Sequence, residues 1–180
     1  MDLVSVTLND NEVKLIVAAS AAVSAVSVAF ISAALARIFA QRDRRRQMYG
    51  EAFRTALEWR ETVYRVRRRD NTPAHDRELV DKFHDLQERL DFYEGWIASE
   101  SRFIRRSYMK LVNAAKSATR EELRAAWDTP GQTGNADPGD AHPSISSAAK
   151  DGFLRDVRGQ LSLQPWRWPF IAFRNWDEPT

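Results

Sequence analysis

Hydrophobic and polar positions keep a different rhythm in each part of the chain. From Leu15 to Ala36 no side chain is charged. As a helix rising 1.5 Å per residue, this run covers roughly 33 Å, about the hydrocarbon thickness of a bilayer. Leu15, Ile16, Val17, Val23, Val26, Val28, Phe30, Ile31 and Leu35 supply its apolar bulk. Each favours insertion by about 0.3 to 0.6 kcal/mol at a helix centre, roughly 4 kcal/mol together. The remainder is alanine and serine, and Ser20, Ser24, Ser27 and Ser32 subtract from that gain. With Ile38 and Phe39 extending the apolar end, the pattern predicts a transmembrane helix over 15–40.

Past a cluster of arginines, apolar residues recur every three or four positions at Tyr49, Ala52, Phe53, Ala56, Leu57, Val63, Tyr64 and Val66. That period predicts the same helix continuing into water. Gly50, about 1 kcal/mol poorer than alanine in a helix, marks an expected bend at the membrane surface. The helix should end near Asp70, because Asn71-Thr72-Pro73 supplies a breaker, then an N-cap, then proline at the first helical position. Leu79, Phe83, Leu86, Leu90, Tyr93, Ile97, Ile104, Tyr108, Leu111 and Ala115 follow at near-heptad spacing, the clearest amphipathic stretch in the chain. So short a turn between long helices predicts an antiparallel, coiled-coil-like hairpin over 41–127, closed by facing apolar stripes. Pairing outward from the turn places Arg37 level with Arg105, and a helix straight past Arg106 would run into the bilayer. A bend near Ser99 to Ser101, or a tilted hairpin, is therefore expected. Thr119 followed by Glu122 reads as a capping box opening a short helix through Trp127. Residues 128–144 are Gly, Pro and small polar types, a flexible linker. A short amphipathic helix over 145–163 carries Ile145, Ala149, Phe153, Val157 and Leu161 on one side, ready to dock on the hairpin. The expected fold class is all-α: one N-terminal transmembrane helix, a long cytoplasmic antiparallel hairpin, a short C-terminal helix, and an aromatic tail over 164–180.

Charge gives the anchor a direction. Asp2, Asp10 and Glu12 outweigh Lys14 before the run, whereas Arg37, Arg42, Arg44, Arg45 and Arg46 crowd behind it. The positive-inside asymmetry places residues 1–14 outside and the body in the cytoplasm, at the inner (plasma) membrane of a bacterium. Arg102, Arg105 and Arg106, with Lys110, would return to the same anionic headgroup layer, each contributing about 1 kcal/mol near such a surface. Ordinary solvation of those charges is the plainer alternative. Ala34-Leu35-Ala36 fits a small-x-small cleavage site, so an exported soluble helical protein is a further reading, opposed by an acidic segment where a signal peptide needs a basic one. A buried soluble helix is opposed by the all-round apolar surface in a small chain. Ala18, Ala22, Ala25, Ala29, Ser32 and Ala36 alternate steps of four and three, a stripe that lets helix backbones approach closely in lipid. It is the candidate self-association seam, although a segment so rich in alanine and serine also yields such stripes by composition.

Composition removes several kinds of chemistry. The chain has 180 residues, a formal charge of +2 and a pI of about 9.1, and arginines beside the membrane already account for much of the base, so nucleic acid is not an expected partner. Without cysteine there is no disulfide, thiol nucleophile or thiolate metal site. His75, His84 and His142 fall in a turn, a helix and a linker. Asp81, His84, Asp85 and Glu88 share one helical face, yet one helix seldom closes a metal site, and a solvated charged face explains them. The linker serines have no histidine and acid arranged around them. Gly131, Gly134 and Gly139 lack the lysine of a phosphate loop, and Asp137 and Asp140 lack the spacing of a calcium loop. Arg65, Arg67, Arg68 and Arg69 gather at the hairpin tip, where a helix C-terminus favours cations in any case. No catalytic residue, metal or cofactor is expected.

The last stretch, Gln164-Pro165-Trp166-Arg167-Trp168-Pro169-Phe170-Ile171-Ala172-Phe173-Arg174-Asn175-Trp176, interleaves indoles with arginine and proline. In composition it resembles the short Trp-, Pro- and Arg-rich antimicrobial peptides, which implies a preference for the lipid interface. Trp166, Trp168, Phe170 and Trp176 are the expected interface residues. Packing of these rings onto the hairpin, or docking on a partner protein, are the alternatives. The expected function is a noncatalytic, membrane-anchored interaction or regulatory module, with membrane lipid, a second copy or an unidentified protein as partner. The alternative is a membrane-active effector, such as a small toxin or an exclusion factor, that oligomerises and disturbs lipid.

Overall fold

The computed structural model describes residues 9–131 and 143–162. Among them every regular element is a helix: α1 (Asp10–Arg67), α2 (Pro73–Glu100), α3 (Arg102–Asp128) and α4 (Ser147–Gln160). The chain divides into two units, Met1–Arg44 and Arg45–Thr180. The first is the N-terminal part of α1. The second holds the rest of α1 with α2, α3 and α4. Helix continues through Gly50, where a Cβ would meet nothing within 4 Å.

Each helix end in the second unit has a local cause. α1 stops at Arg67, and Asn71 takes a left-handed φ of 62°, a conformation asparagine tolerates better than most residues. Asp70 accepts from the backbone N–H and the hydroxyl of Thr72, at 2.9 and 2.7 Å. Those two bonds hold its carboxyl below the usual carboxylate range. Thr72 is the N-cap of α2, accepting from the His75 N–H at 3.3 Å, and Pro73 takes the first helical position.

The expected long second arm divides in two. α2 ends at Glu100, and Ser101 is extended, with φ −163° and ψ 118°. The Ser101 N–H closes α2 on the Ile97 carbonyl, while its hydroxyl accepts from the Ile104 N–H and opens α3. The chain then packs back along α2. The Tyr108 hydroxyl donates to the Leu90 carbonyl, and Arg105 reaches Glu94. A second difference lies at Thr119, which opens no helix. It sits inside α3, fully buried, and donates to the Ala115 carbonyl four residues back. A hydroxyl satisfied this way continues a helix and caps nothing.

One core serves the second unit. Tyr49, Ala52 and Ala56 from α1 meet Leu90 and Ile97 from α2, Ile104, Tyr108, Leu111 and Ala115 from α3, and Phe153 and Val157 from α4. Phe153 is wholly buried, its ring parallel to Phe53 at 6.1 Å and tilted on Tyr108 at 5.8 Å. Full burial of one such side chain is worth about 1.5 to 3 kcal/mol. α1 joins through long side chains: Tyr49 lies edge-on to Trp96, Trp59 edge-on to Phe83, and Arg89 donates to Glu58 and Thr55.

Candidate functional site

Among the described residues of the first unit the large apolar side chains are exposed. Leu15, Val17, Val23, Val26, Val28, Phe30, Ile31, Leu35, Ile38 and Phe39 are all exposed, Phe30 at 75 %. α1 is the one helix among the described residues that is long and apolar enough to cross a membrane. Its serines are prepared for an apolar medium. Ser20, Ser24 and Ser27 donate to the carbonyls of Val17, Ser20 and Val23 at 2.8 to 2.9 Å, so each hydroxyl proton is satisfied within the helix. That removes much of the cost of placing serine in hydrocarbon. Ala18, Ala22, Ala25, Ala29, Ser32 and Ala36 are exposed along the same helix.

The arginines behind this run differ in their surroundings. Arg37, Arg44, Arg45 and Arg46 are exposed and Arg42 is half-buried. Within the second unit Arg45 pairs with Glu100 at 2.8 Å, beside the buried ring of Tyr49. Burial, and then the Glu100 carboxylate, push the Tyr49 hydroxyl up to about 12. That hydroxyl has no hydrogen-bond partner among the described residues. Arg102, Arg105 and Arg106 occupy the first turns of α3, all exposed. Arg105 is engaged by Glu94 at 2.8 Å. The expected interface residues Trp166, Trp168, Phe170 and Trp176 lie outside the described residues.

The arginine cluster at the α1–α2 turn has structural work. Arg65 pairs with Glu58, and Arg67 with Glu122 of α3. Arg69 is buried. Its guanidinium donates to the carbonyls of Val66, Ala126, Trp127 and Thr129 at 2.6 to 3.2 Å and lies 5.0 Å from the Trp127 ring centroid. Asp76 stands 3.6 Å away as an ion-pair partner. Arg69 thereby satisfies carbonyls that the C-terminus of α3 would otherwise leave orphaned, where a cation is favoured by the helix dipole. Alongside, Asn71 grips the Gly131 backbone from both sides, donating to its carbonyl at 3.0 Å and accepting from its N–H at 2.5 Å. A Cβ at Gly131 would collide with the Arg69 backbone, so glycine is required there. This clamp has no signature in the sequence, because its targets are carbonyls some 60 residues away.

α2 and α3 differ in charge. Asp81, His84, Asp85, Glu88 and Asp91 are exposed on α2, with Phe92 among them at 60 %. Arg102, Lys110, Arg120 and Arg124 are exposed on α3, with Met109 beside Lys110. Among the described residues no group of histidine and carboxylate side chains is placed to hold a metal ion. No known protein family, curated protein or solved structure matches the chain.

Proposed function

We propose that the chain is a noncatalytic, membrane-anchored helical interaction module of the inner membrane. The N-terminal part of α1 spans the bilayer, and the second unit stands in the cytoplasm. The observation that carries this reading is the contrast within α1: the large apolar side chains described from Val17 to Phe39 are exposed, whereas Tyr49, Ala52 and Ala56 lie in a core. An exposed apolar surface of that extent needs a nonaqueous environment. The arginines from Arg37 to Arg46 hold the cytoplasmic side by the positive-inside rule.

In this reading α1 and α2 form an antiparallel hairpin. The pairs Tyr49 with Trp96, Glu58 with Arg89, and Trp59 with Phe83 run in opposite senses along the two helices and support it. α3 and α4 complete the body, and the module works through its surface, toward a second copy or a partner protein.

The test is protease protection of a C-terminal tag, combined with carbonate extraction. Digestion in inverted vesicles but not in intact spheroplasts, with the chain retained in carbonate-washed membranes, is the expected result. Digestion in spheroplasts alone reverses the topology. A free tag outside the cell establishes cleavage and export, and sinks the anchor.

A further inference from the structure

Many of the charges described in the second unit are matched within it. Glu58 serves Arg65 and Arg89, Glu94 serves Arg105, Glu100 serves Arg45, Glu122 serves Arg67, and Glu78 serves Lys82. The charges of α2 and α3 left without an ion pair among the described residues differ in sign between the two helices. On α2 they are the acids Asp81, Asp85, Glu88 and Asp91, against the base Arg77. On α3 they are Arg102, Lys110, Lys116, Arg120 and Arg124, against the acids Glu121 and Asp128. Solvation alone gives no reason for like charges to gather on one helix. Neighbours of like sign at three- and four-residue spacing in fact destabilise it.

Most members of each set fall on one stripe, with Asp91 and Lys116 lying to one side. At 100° per residue Asp81, Asp85, Glu88 and Phe92 fall within about 60° of arc, and Arg102, Lys110, Arg120 and Arg124 within about 80°. Each stripe also contains or borders an exposed apolar side chain, Phe92 on the acidic face and Met109 on the basic one. Register is fixed by two contacts between the helices, Tyr108 with Leu90 and Arg105 with Glu94. It puts Lys110 level with Glu88, Arg120 level with Glu78, and Met109 within one turn of Phe92. Lys110 of the basic stripe therefore stands at the height of Glu88 of the acidic one.

We infer that the occupant of these faces is a second copy of this chain: the acidic stripe of α2 in one copy docks on the basic stripe of α3 in the next. The inference rests on the anchored reading. Copies held by the same α1 segment are confined to one membrane surface, which raises their local concentration and favours contacts between them. The contact joins two different faces, so it is heterologous, and it closes into a ring or extends as a row. Opposed charge sets the register and disfavours face pairings of like sign.

The absence of cysteine makes the test clean. Full-length chains carrying Glu88→Cys with one tag and Lys110→Cys with another are coexpressed, and their membranes are mildly oxidised. A mixed-tag disulfide at least tenfold above a control pairing Glu88→Cys with Arg155→Cys is expected, since Arg155 is exposed on α4. Glu88→Lys alone should reduce the oligomer at least fivefold in cross-linked yield. Adding Lys110→Glu in the same chain should restore it, and raised salt should weaken the wild-type contact. Predominant 88–88 or 110–110 bridges, or no bridge above control, overturn the inference. Binding of α3 to anionic vesicles without any chain-to-chain bridge overturns it too. Carbonate washing of the same membranes reads the anchor separately: a retained chain without the mixed bridge refutes the interface alone, and a released chain refutes the anchor.

Discussion

The two parts of α1 carry apolar residues at comparable density and use them in opposite ways. Between Leu15 and Phe39 they recur on every side of the helix, and Leu15, Val17, Val23, Val26, Val28, Phe30, Ile31, Leu35, Ile38 and Phe39 are exposed. Between Tyr49 and Val66 they form a stripe, and Tyr49, Ala52, Ala56, Val63 and Val66 are buried against the rest of the second unit. The difference lies in what separates the apolar residues. Alanine and serine leave no polar face, so the first part finds no orientation in which water is satisfied. Arg54, Glu58, Glu61 and Arg65 give the second part such a face. A single helix thus presents two kinds of surface, with the interleaved residues deciding which.

Substitutions that break this comparison have ordered effects. The largest is expected at Phe153→Ala, which opens a cavity in the core shared with Phe53 and Tyr108. It should cost about 3 to 5 kcal/mol in thermal or denaturant unfolding of the second unit and leave membrane retention unchanged. Val26→Arg acts in the reverse sense. A charge at the centre of the apolar run costs about 3 kcal/mol of insertion and should release the chain on carbonate extraction, with the unfolding midpoint of the second unit unmoved. Arg69→Ala leaves the carbonyls of Ala126, Trp127 and Thr129 without their donor. A loss of about 2 to 3 kcal/mol is expected, with early hydrogen exchange at the end of α3.

The smallest effects sharpen the comparison at Tyr49. Its hydroxyl stays protonated to about 12 when folded, against about 10 for an unfolded tyrosine, so the folded state holds the proton more tightly. The associated stability is fully present below pH 10 and is lost as pH rises from there through 12. Tyrosinate absorbance at alkaline pH should appear together with loss of helical circular dichroism. Tyr49→Phe removes the unpartnered hydroxyl and should leave stability unchanged or raise it by up to about 1 kcal/mol, while blunting that alkaline transition. Tyr108→Phe loses a 3.4 Å hydrogen bond to Leu90 and should be slightly destabilising.

Much of the helical outline was legible in the sequence. The apolar run declares itself by its lack of charge, and Asn71-Thr72-Pro73 announces the start of α2 through residue types that serve few other purposes. The reversal at Ser101 was less legible for a physical reason. Ile97 and Ile104, both buried, are separated by a full heptad, so the apolar rhythm crosses the break without a missed beat. Only a serine able to cap marks the place, and it suggested a bend where the chain turns back. Thr119 misled in the other direction: its spacing to Glu122 fits a cap, but its burial in α3 shows that local pairing signals yield to packing. Arg69 looked like one more member of a basic tip, because a side chain that reads distant carbonyls leaves no pattern near itself.

The clamp at that tip also sets a timetable. Asn71 and Gly131 are 60 residues apart, and at about 5 to 20 residues per second roughly 3 to 12 s of synthesis separate them. Through most of that interval the growing chain already possesses its apolar N-terminal run, while the carbonyls of Ala126, Trp127 and Thr129 to which Arg69 donates do not yet exist. On the anchored reading proposed above, delivery to the bilayer would precede sealing of the body, and a ribosome stalled before Ala126 would leave the distal end open.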